Sequence, residues 1–225
     1  MRVRRLVMLR HGQTGYNAGS RMQGQLDTEL SDLGRDQAVA AAEVLAKRQP
    51  LVIMSSDLRR ALDTAVALGE RSGMPVLVDT RLRETHLGDW QGMTHLEVDA
   101  AAPGARLAWR DDARWAPHGG ESRVDVATRS MPLMAELVAD QTEWGVDEPE
   151  RPVVLVAHGG LIAALTAALL ALPVDNWPAL GGMGNASWVQ LSGHSETDSA
   201  PASLSNIRWR LDVWNASAQV ANDVL

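Results

Sequence analysis

The chain has 225 residues, 45% of them hydrophobic, which suits one large globular domain with a substantial core. It contains no cysteine, which excludes disulfide bonds and thiolate metal sites. Its 28 acidic and 21 basic residues give a net charge of −7, which argues against a nucleic-acid partner because phosphate backbones attract broad basic surfaces.

The first half of the chain alternates between strand and helix patterns. In chain order it predicts a strand at 3–9, a loop at 14–27, a helix at 31–47, a strand at 51–54, a helix at 57–72 and a strand at 76–78. Ser31 is a suitable N-cap for the first of these helices. Leu33, Val39, Ala42 and Leu45 recur at helical spacing after it, so we expect them on its apolar side.

The second half begins with a weaker pattern. In chain order it predicts a loop-rich lobe at 83–121, a helix at 123–139, a loop at 141–152, a strand at 153–157, a buried helix at 161–172, a strand at 187–191, a polar loop at 192–206 and a strand at 207–214. The order of elements predicts an α/β fold, a three-layer α/β/α sandwich with a mostly parallel central sheet. No linker is apparent, so we expect residues 1–225 to form a single domain, with 83–121 as an inserted, lid-like lobe over the site.

The apolar runs are short. Residues 6–9 are too few for the core of a signal peptide, and residues 161–172 are too few to span a bilayer. This pattern predicts a soluble, cytoplasmic protein with no membrane partner.

Arginine and histidine residues follow three of the predicted strands. Arg10 and His11 follow the first, Arg60 comes shortly after the second, and His158 and Gly159 follow the strand at 153–157. Ligands of parallel sheets bind beyond the carboxyl ends of the strands. The free N–H groups of the helix after His158 attract anions. Arginine repels metal ions and suits phosphate, so the set predicts a phosphate site and no metal site.

Each of these residues alone has an ordinary structural explanation. A histidine at a strand end commonly makes a structural hydrogen bond, and an arginine such as Arg60 commonly lies on a solvated helix face. Glycines after a strand commonly serve the turn. The functional interpretation therefore depends on their joint occurrence at three strand ends.

An ordered set of motifs runs through most of the chain. They are LRHGQT at 9–14, Asn17, RMQGQLDTELSDLGRDQA at 21–38, SSDLRRALDTA at 55–65, RLRETHLGDWQG at 81–92, GGES at 119–122 and VAHGG at 156–160. Together they resemble the histidine phosphatase superfamily, which includes the cofactor-dependent phosphoglycerate mutases.

The resemblance implies a role for each matching residue. His11 becomes the nucleophile that takes up phosphate as phosphohistidine, and Glu84 becomes the acid that protonates the leaving oxygen. The implied phosphate contacts are Arg10, Arg60, His158 and Asn17. The residues expected to line the phosphate site and its entrance are Thr14, Gln23, Gly24 and Gly159. No metal and no other cofactor is implied.

Glu84 has an alternative interpretation from the sequence. As an acid it needs a pKa raised by burial, because an ordinary carboxyl group is ionised near neutrality. It lies between Arg83 and His86, where an ion pair is an equally natural expectation.

The run THLGDWQG after Glu84 resembles the phosphatase branch of the family rather than the mutases. Later segments, including NWPALGGMGNASW and RWRLDVWNASAQ, resemble phosphatases of this family that act on sugar-acid phosphates, which implies a small phosphorylated sugar-acid substrate. A phosphoglycerate mutase, a broad-specificity phosphatase and a non-catalytic protein that binds a phosphorylated ligand remain the alternatives.

Two stretches within these later segments have a further interpretation of their own. GGMGNAS at 181–187 approaches a dinucleotide-binding pattern, but it precedes a strand instead of a helix and so lacks the required context. The tail carries apolar residues at Trp209, Leu211, Val213 and Trp214. We expect the tail to dock onto the core, with a homodimer contact as the alternative use of these side chains.

Overall fold

The computed structural model describes residues 2–146, 151–195 and 203–218. The strands of this part of the chain are β1 (Arg2–Arg10), β2 (Val52–Ser55), β3 (Val76–Val78), β4 (Pro152–Ala157), β5 (Trp188–Ser195) and β6 (Arg208–Ala216). They form one sheet in the order β3-β2-β4-β1-β5-β6. The pairs among β3, β2, β4 and β1 are parallel, whereas β5 and β6 are antiparallel.

Helices connect these strands. The α-helices are α1 (Gly15–Ala18), α2 (Asp32–Leu45), α3 (Arg59–Ser72), α4 (His95–Ala101), α5 (Ala105–Asp111), α6 (Arg123–Asp140) and α7 (Gly159–Leu169). Short 3-10 helices lie at Ala46–Arg48, Thr80–Leu82, Gly88–Trp90, Val174–Ala179 and Leu204–Asn206.

The sheet is covered on both faces. Along β1, Leu6 and Met8 belong to the apolar cluster beneath α6 and α7, while Val7 and Leu9 belong to the cluster beneath α2 and α3. A strand buried on both sides reads as a continuous apolar run, and burying each such side chain contributes about 1.5–3 kcal/mol. These layers confirm the predicted three-layer α/β/α fold with a mostly parallel sheet.

The loop predicted at 14–27 contains a short helix, α1. Thr14 caps it by accepting from the Asn17 N–H, and the Asn17 side chain accepts from the Thr14 N–H in return. One helical turn is too short to show an apolar period, so only this reciprocal capping pair marks it in the sequence.

The buried face of α2 differs from the predicted one. Leu33 and Val39 are 52% and 54% exposed, and the buried side consists mainly of small residues. A side chain at Gly34 would place its Cβ 2.0 Å from the Gln13 carbonyl oxygen. The helix therefore packs closely on the loop after β1, and only small residues fit at that contact.

Residues 83–121 supply most of a small apolar cluster, which Met22 from outside this range completes. Trp90 stacks on Trp115 with ring centroids 5.3 Å apart and meets Trp109 edge to face at 6.0 Å. Val98 from α4 is buried in the same cluster. Because α4 and α5 lie in this range, part of the segment predicted to be loop-rich is helical.

The last strand docks on the core, as expected. Trp209 is buried and lies 6.1 Å from Trp144 between ring centroids, whereas Leu211 remains 38% exposed. β5 continues to Ser195, beyond the predicted strand end. Parts of the loops predicted at 141–152 and 192–206, namely 147–150 and 196–202, and the end of the tail at 219–225 lie outside the described residues. Over the described ranges, none of the helices has the length and apolar character needed to cross a bilayer.

Candidate active site

Two histidines follow neighbouring parallel strands and lie side by side. β1 and β4 pair with Arg10 opposite Ala157, so His11 and His158 come next on adjacent strand ends. Their ring centroids are 5.2 Å apart, and the side chains are 2% and 0% exposed. The register of the sheet thus joins the two strand-end motifs that the sequence indicated.

The His11 ring is held in one tautomer. Its Nδ1 lies 2.7 Å from the Gly12 carbonyl oxygen. A carbonyl oxygen only accepts, so Nδ1 carries the proton and Nε2 presents a lone pair. The Gly12 N–H donates to Thr64 Oγ1 at 3.1 Å, which fixes the peptide that orients the ring. An imidazole held in this way is suited to act as a nucleophile through Nε2.

Arg60 lies in the first turn of α3 and points its guanidinium at His11. Its Nε donates to His11 Nε2 at 3.3 Å. The two terminal nitrogens donate to the carbonyl oxygens of Leu26 and Gly24 at 2.7 and 2.8 Å. Since Arg60 is only 1% exposed, these carbonyls hold a buried cation against the nucleophile.

Three further polar groups at this edge have no partner among the described residues. They are Nε of Arg10 and both ring nitrogens of His158. The Arg10 side chain is anchored from its far end, where a terminal nitrogen donates to the Met183 carbonyl oxygen. Nearly all buried polar groups in proteins have a hydrogen-bond partner, so these groups are the ones available to a ligand.

The electrostatics keep both imidazoles neutral. Burial lowers the pKa of His11 and of His158 well below 6.5, and the positive charges of Arg60 and Arg10 lower it further by opposing a second cation. Burial also lowers the pKa of Arg60 to about 10, which leaves it charged at neutral pH. The pocket therefore combines an unprotonated nucleophile with fixed positive charge.

The neutral histidines give a prediction for stability. Because the folded-state pKa of each lies below 6.5, the unfolded chain binds more protons as pH falls below that value. Between pH 7.5 and 5.5 we expect each histidine to remove about 1.4 kcal/mol from the free energy of unfolding. Urea unfolding at both pH values measures this loss. It should be smaller by about 1.4 kcal/mol in a His158→Gln variant, in which His11 and His95 still contribute. An identical pH dependence in the variant would contradict the assignment.

Glu84 occupies the N-terminus of α7. Its carboxylate accepts from the N–H groups of Gly160 at 3.1 Å, Leu161 at 3.0 Å and Thr85 at 2.8 Å. A Cβ at Gly160 would lie 2.5 Å from Oε1, so glycine is required for this close approach. Two of the helix N–H groups that the sequence suggested for a phosphate are therefore bound to Glu84. The N–H of Gly159 has no acceptor among the described residues, so it is the donor left for a ligand.

The structure excludes one of the two interpretations of Glu84. Arg83 turns away and pairs with Asp57, with Nη2 and Oδ2 2.5 Å apart. Among the described residues no salt bridge includes Glu84 or joins it to His86. The ion-pair alternative is therefore wrong, because the helix N–H groups, in place of a neighbouring cation, satisfy the carboxylate.

The remaining predicted residues form hydrogen bonds around these groups. Asn17 Oδ1 accepts from the N–H of Thr14 at 3.1 Å, which leaves its amide N–H groups to a ligand. Gln23 is buried and accepts from the hydroxyls of Thr14 and Thr28 at 2.9 and 2.6 Å. The contribution of Gly24 to the site is its carbonyl oxygen, which holds Arg60.

Two residues at the site were missed in the sequence. Asn185 donates to the His11 carbonyl oxygen at 3.3 Å and to Asn17 Oδ1 at 3.1 Å, and the Met183 carbonyl holds Arg10. Both belong to the GGMGNAS run, which was rejected as a dinucleotide motif and otherwise served only as part of the family resemblance. In the sequence its one signal is its position directly before the strand predicted at 187–191. The antiparallel pairing of β5 with β1 places the start of that strand at the same edge.

The described residues include no group of three or more histidine, aspartate or glutamate side chains that could hold a metal ion. What lies together is a neutral imidazole whose unprotonated Nε2 accepts from Arg60, a second guanidinium, a second imidazole and a carboxylate. Phosphoryl transfer depends mainly on positioning and on stabilising charge on the phosphoryl oxygens, so this donor set suits that reaction.

Comparisons with known proteins agree with this chemistry. The chain is 85% identical over 225 residues to a glucosyl-3-phosphoglycerate phosphatase of Mycolicibacterium vanbaalenii, with 100% of both chains covered. It is 80% identical over 227 residues to the protein of that name in Mycobacterium tuberculosis, again with 100% of both covered. A solved structure of mycobacterial glucosyl-3-phosphoglycerate phosphatase with VO3 superposes with a TM-score of 0.91 at 79% identity, covering 95% of this chain and 100% of that one.

The family comparison covers nearly the same length. Residues 6–205 match the histidine phosphatase superfamily (branch 1), a range that includes residues 6–10 of β1, the Glu84 loop and α7. Because this match spans most of the chain and contains both strand-end histidines, the chain belongs to the histidine phosphatase superfamily, branch 1.

Proposed function

We propose that the chain is a phosphomonoesterase that hydrolyses glucosyl-3-phosphoglycerate to glucosylglycerate and inorganic phosphate through a phosphohistidine. The observation that carries the proposal is His11, whose Nδ1 is tied to Gly12 while Nε2 faces Arg60. The substrate follows from the relatives of that name, which are 80–85% identical over the full chain. No metal takes part, because Arg10 and Arg60 supply the positive charge at the phosphoryl group.

The first step transfers the phosphoryl group to the protein. The lone pair of His11 Nε2 forms an N–P bond as the bond from phosphorus to the ester oxygen breaks. The electron pair of the broken bond stays on that oxygen, which takes a proton from the carboxyl group of Glu84. Arg10, Arg60 and His158 stabilise the charge on the three phosphoryl oxygens.

The second step releases phosphate. A water molecule attacks phosphorus, its proton passes to the Glu84 carboxylate, and the N–P electron pair returns to Nε2 of His11. The acid of the first step thus becomes the base of the second, and both groups return to their starting state.

A substrate panel tests the proposal. We expect glucosyl-3-phosphoglycerate to give the highest kcat/KM among simple phosphomonoesters, with activity retained in EDTA. Interconversion of 2- and 3-phosphoglycerate would favour a mutase, and similar kcat/KM values across the panel would favour a broad-specificity phosphatase. Stable phosphate binding without turnover of any ester would favour a binding protein.

Glu84→Gln gives a prediction that depends on the leaving group. An alkoxide leaves poorly without a proton, so we expect kcat for glucosyl-3-phosphoglycerate to fall about 10²- to 10⁴-fold. Release of nitrophenolate in the first turnover of p-nitrophenyl phosphate should fall far less, because a nitrophenolate leaves without protonation, whereas the later hydrolysis of the phosphohistidine still needs the Glu84 carboxylate. Glu70→Gln, an exposed site on α3, is the matched control. Equal losses in the first-turnover rates of both substrates would contradict the role of Glu84 as the acid.

Three finer proposals accompany this function. We propose that residues 83–121 act as a lid-like lobe of a single domain, since they supply Glu84 and pack around their own tryptophan cluster. We propose a homodimer that uses the partly exposed β6, where Leu211 is 38% exposed. We also propose that the reaction takes place in the cytoplasm, as an early step toward methylglucose lipopolysaccharides. The oligomeric state is measured by light scattering.

A further inference from the structure

The loop that carries Glu84 is tied down by one guanidinium from α6. Arg129 Nη1 donates to the Arg81 carbonyl oxygen at 2.7 Å. Its Nη2 donates to the carbonyl oxygens of Arg83 at 2.7 Å and Glu84 at 2.9 Å. A single side chain therefore holds three backbone carbonyls within four consecutive residues.

A carboxylate completes this clamp from the other side. Glu121 Oε1 accepts from Arg129 Nε at 2.8 Å, and its Oε2 accepts from the N–H of His86 at 2.8 Å. The backbone N–H of Glu121 donates in turn to the His86 carbonyl oxygen at 2.8 Å. Arg129 and Glu121 are only 22% and 23% exposed in their side chains, so the pair is largely shielded from water.

The Glu84 backbone has no regular secondary structure to hold it. It lies between the 3-10 helices Thr80–Leu82 and Gly88–Trp90. Apart from Arg129, only the Gln25 side chain donates to the Glu84 carbonyl oxygen among the described residues, at 3.0 Å. The carboxylate itself makes no contact with Arg129, since it binds the N-terminus of α7. The direct contacts of Arg129 with this loop are therefore with its backbone.

We infer that Arg129, supported by Glu121, is a positioning residue that sets the reach of the Glu84 carboxyl group to the leaving oxygen. The inference rests on the proposed function of Glu84 as the acid. A proton is transferred efficiently only when donor and acceptor lie within hydrogen-bond distance, and small displacements of a catalytic group cost large factors in rate. Arginine is required because its planar fork reaches several carbonyls at once, whereas the ammonium of lysine is a single point on a flexible stem.

The test compares two leaving groups in Arg129→Gln and Arg129→Lys variants. Displacing the acid slows the first step only for the substrate whose leaving oxygen needs its proton. We therefore expect the first-turnover rate of glucosyl-3-phosphoglycerate, measured by rapid quenching, to fall roughly 10- to 100-fold. The first-turnover release of nitrophenolate from p-nitrophenyl phosphate should change less than about threefold, since the hydrolysis of the phosphohistidine that follows is common to both substrates. Adding Arg129→Gln to Glu84→Gln should cause no further loss on the sugar-acid ester, because the group being positioned is already absent.

Controls separate positioning from folding. Arg81 is an arginine close to Glu84 in the chain, and its side chain pairs with Asp79 and Glu136 at the surface. We expect Arg81→Gln to lower the unfolding temperature without changing the ratio of the rates for glucosyl-3-phosphoglycerate and p-nitrophenyl phosphate. Should Arg129→Gln fail to fold, Glu121→Gln leaves the guanidinium in place without its counter-ion and should shift the ratio in the same direction.

Equal losses in the first-turnover rates of both substrates in the folded variants, or an additive loss in the double variant, would overturn the inference. A His11→Ala variant that still hydrolyses both substrates would instead overturn the proposed function, so the two failures are distinct.

Discussion

His11→Ala is expected to lower kcat for glucosyl-3-phosphoglycerate by at least about 10⁴-fold, since loss of a nucleophile removes the covalent path altogether. The ring is buried but small, and the Gly12 N–H keeps its bond to Thr64 without it. We therefore expect the variant to remain folded, with circular dichroism unchanged. p-Nitrophenyl phosphate hydrolysis should be lost as well, because every substrate must form the same N–P bond.

A second measurement makes this prediction specific to Nε2 of His11. Rapid quenching of the wild-type reaction with labelled substrate should trap an acid-labile, alkali-stable phosphoprotein that is absent in His11→Ala. His194→Ala is the matched control, because His194 pairs with Val3 at the opposite end of β1 and should retain full activity. Label that persists in His11→Ala would place the nucleophile elsewhere.

Arg60→Lys is expected to lower kcat/KM by about 10³-fold, in the range found when an arginine that stabilises a transferring phosphoryl group is lost. Lysine keeps the charge but cannot point one N–H at His11 while two others hold the carbonyls of Gly24 and Leu26. Both leaving groups should be affected equally, because Arg60 acts on the phosphoryl oxygens that all substrates share. This distinguishes Arg60 from Glu84.

The neighbouring arginine provides the control for Arg60. Arg59→Lys alters the same helix turn, but its side chain is 56% exposed and pairs with Glu29 at the surface. We expect its kcat/KM to stay within about twofold of wild type, since exposed ion pairs contribute little. A comparable loss in both variants, or unchanged inorganic phosphate affinity in Arg60→Lys by calorimetry, would contradict the proposed contact.

Much of the fold could be predicted from apolar patterns alone. Residues 6–9 are a continuous apolar run because both faces of β1 are buried. Parallel strands end at the same edge of a sheet, so the sequence predicted that His11 and His158 lie close together. The apolar pattern predicted the wrong buried face for α2, because close backbone packing there admits only small residues. Leu33 and Val39 lie outside because α2 meets the loop after β1 through Gly34 and small residues.

The pattern of apolar residues along each strand and helix was thus enough to predict the three layers, the parallel direction of the central strands and the sheet edge where the nucleophile lies. These features depend on short-range periodicity. Contacts between segments distant in the chain depended on the folded molecule. Glu84 binds α7 across 76 positions and Arg129 reaches the Glu84 loop across 45, and no local pattern encodes such pairings. They arise only when packed elements bring unsatisfied N–H and carbonyl groups within reach of one side chain.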